Sequence, residues 1–152
     1  MTNNYILRQL RYSFDFSDSQ MIQLFHFAGK EVSRSDISDW MKKEDDPAYK
    51  NLVDKNLSYF LNGFIIHQRG RKEGPLPIAE SKLNNNIILR KLKIALNLKD
   101  EDILELLSYA NFKLSKHELS AFFRKPTQNQ YRKCKDQILR NFLYGLKIAF
   151  KE

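Results

Sequence analysis

The chain has 152 residues, with 26 basic and 18 acidic side chains and a formal net charge of +8, a length that fits one ordinary domain or two very small ones. Apolar residues make up 42% and aromatics 12%, enough to fill a core, which excludes wholesale disorder. A single cysteine excludes an internal disulfide and a cysteine-rich zinc site.

Taken in chain order, the pattern is helical. Ile6, Leu7, Leu10 and Phe14 fall on one helical face,. Ser17 with Gln20 reads as a capping box opening a second helix. Its apolar face is Met21, Ile22, Leu24, Phe25 and Ala28, with Gly29 as a stop,. Ser33 with Asp36 opens a third helix that turns Ile37, Trp40 and Met41 inward,. A fourth runs through Leu57, Phe60, Leu61, Phe64 and Ile65,. The segment from Gln68 to Pro77 holds two glycines, two prolines and several cations, and reads as a linker,. Ile88, Leu89, Leu92 and Leu96 then start a second series. Ser115 with Glu118 caps a helix carrying Leu119, Phe122 and Phe123, and Leu139, Phe142, Leu143 and Leu146 mark the last helix,. Pro47 and Pro126 lie between the third and last helices of their series, with short turns expected near Pro47 and Thr127,.

The second series repeats the first at an offset of 82 positions without a gap,. Asn4-Tyr5-Ile6-Leu7-Arg8 lies over Asn86-Ile87-Ile88-Leu89-Arg90, and Asp54, Leu57, Phe60, Leu61 and Gly63 recur as Asp136, Leu139, Phe142, Leu143 and Gly145. About 18 of roughly 63 aligned positions are identical,. Gly63 and Gly145 lie inside helices, where glycine costs about 1 kcal/mol against alanine, and their recurrence points to a close helix crossing. The fold expected is all-α: two tandem pseudo-repeats of about four helices each. The first repeat covers residues 1–67, a basic Gly/Pro linker 68–83 and the second repeat 84–152. A repeat this small lies near the lower limit for independent folding, so the copies are expected to pack on each other.

Several runs carry a resemblance. Leu7-Arg8 with Leu10-Arg11-Tyr12, Trp40 to Pro47, Phe60 to Ile66 followed by Arg69-Gly70, and Asn84 to Leu92 resemble the YehS-like family. These are small bacterial proteins built from a tandemly duplicated domain of unknown function. The resemblance spans essentially the whole chain. It implies a bacterial cytoplasmic protein with a two-copy helical layout, and it supplies no catalytic residues. Locally, Val32 to Trp40 also resembles the recognition helix of a phage-repressor-type helix-turn-helix, although the turn Gly29 to Val32 is about two residues longer than usual,. The matching segment Leu114 to Phe123 keeps the cap and apolar pattern, with Asn111 in place of the turn glycine. A helix-turn-helix-like element is thus expected in each repeat.

Charge is unevenly spread. Residues 1–69 hold 9 basic and 9 acidic side chains, and residues 70–152 hold 17 and 9,. The excess reads either as a face for a phosphate backbone or as a solubilising surface. Arg132, Lys133 and Lys135 stand at the expected start of the last helix, where the dipole disfavours cations by roughly 0.3–1 kcal/mol each, and that placement favours an anionic partner. The candidate nucleic-acid contacts are therefore Arg69, Arg71 and Lys72 in the linker, and Lys116, Arg124, Lys125, Arg132, Lys133 and Lys135 in the second repeat. Ser33, Arg34, Ser35 and Ser38 are lesser candidates through the helix-turn-helix likeness. The first repeat has Glu44-Asp45-Asp46 where the second has Pro126-Thr127-Gln128, so it reads as a structural or protein-contacting half.

Catalytic signals are missing from the sequence. His26, His67 and His117 have no metal-ligand spacing,. No phosphate-cradling glycine loop and no nucleophile elbow occur. Glu44-Asp45-Asp46 reads as a solvated acidic turn before it reads as a divalent-cation site. Cys134, aligned with Leu52, reads as a small buried residue, with a thiol activated by Lys133 and Lys135 as the other reading. Phe122, Phe123, Phe142, Tyr144 and Phe150 recur at helical spacing and read as core, and Tyr49 and Tyr131 as core caps with hydroxyls outward.

The apolar runs, such as Phe64-Ile65-Ile66, are too short to span a membrane,, and Met1 to Tyr5 lacks the layout of a secretory signal. The expectation is a non-enzymatic cytoplasmic protein without cofactor, metal or membrane partner. It would bind nucleic acid, DNA or RNA, or alternatively act as a helical adaptor for a protein partner. Oligomeric state is not legible in the sequence.

Overall fold

The computed structural model describes all 152 residues and contains eight α-helices and no strand. They are α1 (Asn3–Phe14), α2 (Asp18–Phe27), α3 (Arg34–Met41), α4 (Asp54–Arg69), α5 (Asn85–Ala95), α6 (Asp100–Ser108), α7 (Lys116–Ala121) and α8 (Asp136–Phe150). The expected boxes are in place at Ser17–Gln20, Ser33–Asp36 and Ser115–Glu118, each side chain bonding the other residue's backbone N–H,. The matched breaks also agree. Asp15 and Asn97 take the left-handed conformation after α1 and α5, and Gly29 and Asn111 have positive φ after α2 and α6,.

Within each repeat the last helix crosses the second, α4 on α2 and α8 on α6. A Cβ at Gly63 would overlap the Leu24 carbonyl, and one at Gly145 the Leu106 carbonyl. Only glycine admits so close an approach, and that offsets its propensity cost.

Between repeats the first helix of one lies along the last helix of the other: α1 along α8, and α5 along α4. The 82-residue offset carries α1 onto α5 and α8 onto α4, so the two seams exchange into each other as in a two-fold, self-complementary interface. One apolar cluster of 27 buried residues draws on both copies, from Ile6 and Leu7 through Phe60 and Phe64 to Phe142 and Leu146.

A pair of asparagines in each copy ties the long loop after the third helix to the first helix. Asn4 Nδ2 donates to the carbonyls of Trp40 (3.1 Å) and Lys50 (2.8 Å), and its Oδ1 accepts from the Leu52 N–H (2.9 Å). Asn86 repeats this with Phe122 (3.1 Å), Arg132 (2.7 Å) and Cys134 (2.9 Å). Asn3 and Asn85 reach Asp54 and Asp136, each at 2.7 Å, at the start of the last helix. Tyr49 departs from expectation, because its hydroxyl turns inward and donates to Asn4 Oδ1 at 3.0 Å. That oxygen already accepts from the Leu52 N–H, and the phenol takes its second lone pair,.

The linker is pinned to α4. Ser58 Oγ donates to Glu80 (2.5 Å) and accepts from the Glu80 N–H (3.0 Å), and Leu83 N–H donates to Asp54 (2.8 Å).

Candidate nucleic-acid interface

The cations expected to bind phosphate divide into separate groups. Arg132, Lys133 and Lys135 line an open groove of about 630 Å³ beside the start of α8, with His117, Asn129, Gln130 and Tyr131. The groove has one carboxylate, Glu118, which closes the α7 capping box by accepting from the Ser115 N–H at 3.1 Å. Those bonds hold its carboxyl below the ordinary glutamate range. Lys135 is the N-cap residue of α8 and its side chain does not cap, so its charge stands at the end the helix dipole disfavours, whereas Arg132 and Lys133 lie in the non-helical segment before it,.

Arg69, Arg71 and Lys72 lie in a different cleft, of about 760 Å³, between α4, the linker and α5. Arg90 and Lys91 join them, with apolar walls from Ile65, Ile66, Ile87, Ile94 and Leu76. Lys91 is engaged: it meets Glu80 at 3.1 Å and donates to Asn62 Oδ1 at 2.6 Å. Burial alone raises the Glu80 pKa, but its bonds to Ser58, its own backbone N–H and Lys91 outweigh that, and the net shift is downward.

The remaining candidates join neither group. Lys116 pairs with Glu101 at 2.8 Å. Arg124 is half-buried with its Nε away from water and without a partner, and Lys125 is exposed in the loop after α7. Of the nine candidate cations only Lys116 lies within 4.0 Å of a carboxylate.

The helix-turn-helix likeness is not carried into geometry. Residues 28–33 separate α2 from α3, and 109–115 separate α6 from α7, against the 3–4-residue turn of a DNA-reading pair. Ser33 spends its hydroxyl on the Asp36 N–H at 3.0 Å, while Arg34, Ser35 and Ser38 are exposed on α3.

Other side chains fall where their chemistry puts them. Cys134 is 4% exposed, and burial, with Asp136 adding to it, pushes its thiol up to about 12, so the flanking lysines do not activate it. In the acidic turn Asp46 Oδ1 accepts from the Ala48 N–H at 2.8 Å, and no three His, Cys, Asp or Glu side chains converge as metal donors. No helix is long and apolar enough to cross a membrane.

Two aromatics read as core are not buried: Tyr144 is 42% and Phe150 51% exposed, whereas Phe122 and Phe142 are core residues. Tyr144 follows the buried Phe142 and Leu143 and precedes Gly145, and it is the residue of that run turned out of the α6–α8 contact. It belongs to a third groove, of about 480 Å³, at the α1–α8 seam. Its lining is Tyr5, Gln9, Tyr109, Ala110, Asn111, Arg140, Asn141, Tyr144 and Lys147. Sequence reasoning missed this groove because its residues come from two helices, α1 and α8, and the turn after α6, in both repeats. The available signal was the divergence of paired positions, Tyr144 against Asn62 and Tyr5 against Ile87.

Comparison with known proteins agrees with the doubled architecture. A family model described as "Protein of unknown function (DUF1456)" matches twice, at residues 3–70 and 85–151. The chain is 39% identical over 147 residues to the uncharacterized protein YehS of Escherichia coli (strain K12), covering 96% of this chain and 94% of that one. No solved structure matches. With both of its helical repeats matched by the same model, the chain belongs to the DUF1456 family.

Proposed function

We propose that the protein is a non-enzymatic nucleic-acid-binding protein whose phosphate contacts come from the second repeat. The observation that carries this reading is the groove beside α8. Arg132, Lys133 and Lys135 converge there with Glu118 as the one carboxylate of the groove and none within 4.0 Å of them, and Lys135 adds its charge at the positive end of a helix. Such an arrangement stores electrostatic repulsion that an incoming polyanion relieves. Phosphate also releases counterions as it binds, so affinity falls steeply with salt.

The test is fluorescence anisotropy with labelled duplex DNA, single-stranded DNA and structured RNA at low and physiological salt. Salt-steep binding to at least one of these is expected, with Arg132→Glu and Lys133→Glu weakening it and flattening its salt slope. Binding that is undetectable, or indifferent to both reversals, would overturn the reading.

A further inference from the structure

The α1–α8 seam is chemically unlike its twin. Under the 82-residue offset, Tyr5, Gln9, Tyr144 and Lys147 of the α1–α8 groove correspond to Ile87, Lys91, Asn62 and Ile65 of the α4–α5 cleft, and Arg140 corresponds to Ser58, a buried residue of α4. Between α4 and α5 the linker lies over the seam and Glu80 pairs with the partly buried Lys91. Between α1 and α8 no segment covers it and no carboxylate lines it.

What lines it is three tyrosines, two cations and three side-chain amides, with Tyr109 and Tyr144 each about two-fifths exposed (41% and 42%). Lys147 Nζ stands 4.7 Å from the Tyr144 ring centre. Tyr109 donates its hydroxyl to Glu105 at 3.0 Å, which fixes the ring from outside the groove. Neither Arg140 nor Lys147 has an ion-pair partner. The helices run parallel here, with Tyr5 and Arg140 in the same groove and the Phe14 and Phe150 rings 4.9 Å apart at the far end. Arg140, Tyr144 and Lys147 recur at spacings of four and three and form one stripe of α8 about 10 Å long, with Lys151 following at the C-cap,. Tyr12, half exposed, extends the aromatic line on α1, with Lys151 Nζ 5.2 Å from its ring centre and paired with Asp15 at 3.3 Å.

Aromatic rings offer a π-face to any unstacked base, amides pair with exposed base edges, and unpaired cations track the backbone. A duplex hides its base faces, so tyrosines in such a groove have nothing to stack on. We infer that the α1–α8 seam is a binding site for single-stranded nucleic acid, with Tyr109 and Tyr144 as stacking platforms and Arg140 and Lys147 as phosphate contacts. This rests on the nucleic-acid reading above and names its substrate class.

The experiment compares unstructured DNA and RNA oligonucleotides of about 12 nucleotides with the duplex of the same sequence, using the full chain and its variants Tyr109→Ala, Tyr144→Ala and Tyr144→Phe. Both tyrosines are exposed, so the variants are expected to fold, and circular dichroism checks this. Single strands are expected to bind at least tenfold more tightly than duplex. Each alanine variant should lose roughly tenfold or more for single strands and little for duplex, while Tyr144→Phe retains binding. The DNA and RNA arms show whether the strand's 2′-hydroxyls contribute. Equal affinity for single strand and duplex, or alanine variants that bind as the parent does, would overturn this inference and leave the phosphate-binding reading standing. Absence of binding to every probe would overturn both.

Discussion

The two seams between the repeats share a backbone plan and differ in nearly every side chain that faces out of them. At α4–α5 the walls are isoleucines, and the linker lies across them. There Lys91 is pinned between Glu80 and Asn62. At α1–α8 the matching positions are tyrosine, glutamine, arginine and lysine, and the groove is open. Duplication supplies two equivalent crevices, but a single linker can cover only one of them. The crevice that the linker crosses keeps cations, Arg69, Arg71, Lys72 and Arg90, but no aromatic side chain lines it, whereas the open one exposes Tyr109 and Tyr144 to water. That difference is the ground on which the proposed strand site is placed in the seam that the chain itself leaves uncovered.

The comparison requires that both repeats stand on the same scaffold, and the paired glycines test that most severely. Gly63→Ala and Gly145→Ala each force a methyl group into a backbone carbonyl of the neighbouring helix. Each is expected to destabilise by about 3 kcal/mol, seen as a fall of roughly 6–12 °C in Tm. A variant with unchanged Tm would show that one repeat crosses its helices differently, and the pairing of the seams would fail with it.

A smaller effect separates the covered seam from the open one. The pKa of Glu80 is lowered in the folded chain because the bonds from Ser58 and Lys91 outweigh the burial that raises it. A carboxylate with a lowered folded pKa stabilises above its unfolded value, about 4.5, and that stabilisation is lost as pH falls through the folded value. Below about pH 4.5 the parent should therefore lose stability that Glu80→Gln never had, and the two Tm curves should converge. The side chain is 36% exposed, so the gap is expected to be small. Parallel curves from neutral to acid pH would show that Glu80 does not secure the linker.

Much of this architecture is legible in the sequence. Capping boxes at Ser17, Ser33 and Ser115 set three helix starts by local chemistry, and local chemistry survives folding. Gly63 and Gly145 announced a close crossing because an unfavourable residue recurred at one place. Asn4 and Asn86 were visible as a matched pair, yet their work was not. Each bonds a loop about 36 to 48 residues away, and sequence spacing carries no information about such partners. The basic groove was half legible: Arg132, Lys133 and Lys135 are neighbours in the chain, whereas Leu114, His117 and Glu118 join them only through packing. Tyr144 was misread because helical spacing separates faces and does not say which face a partner helix covers. In this fold that partner comes from the other repeat.

The central claim is that the two seams, alike in backbone, differ in what they bind. The most direct measurement is the backbone amide spectrum of the isotope-labelled chain, titrated with an unstructured single-stranded oligonucleotide. The account expects shifts concentrated at residues 5–9, 109–111 and 140–147, with further shifts at 132–135 and little change at 62–66 or 87–94. Shifts centred on the α4–α5 cleft, or spread evenly over both seams, would contradict it.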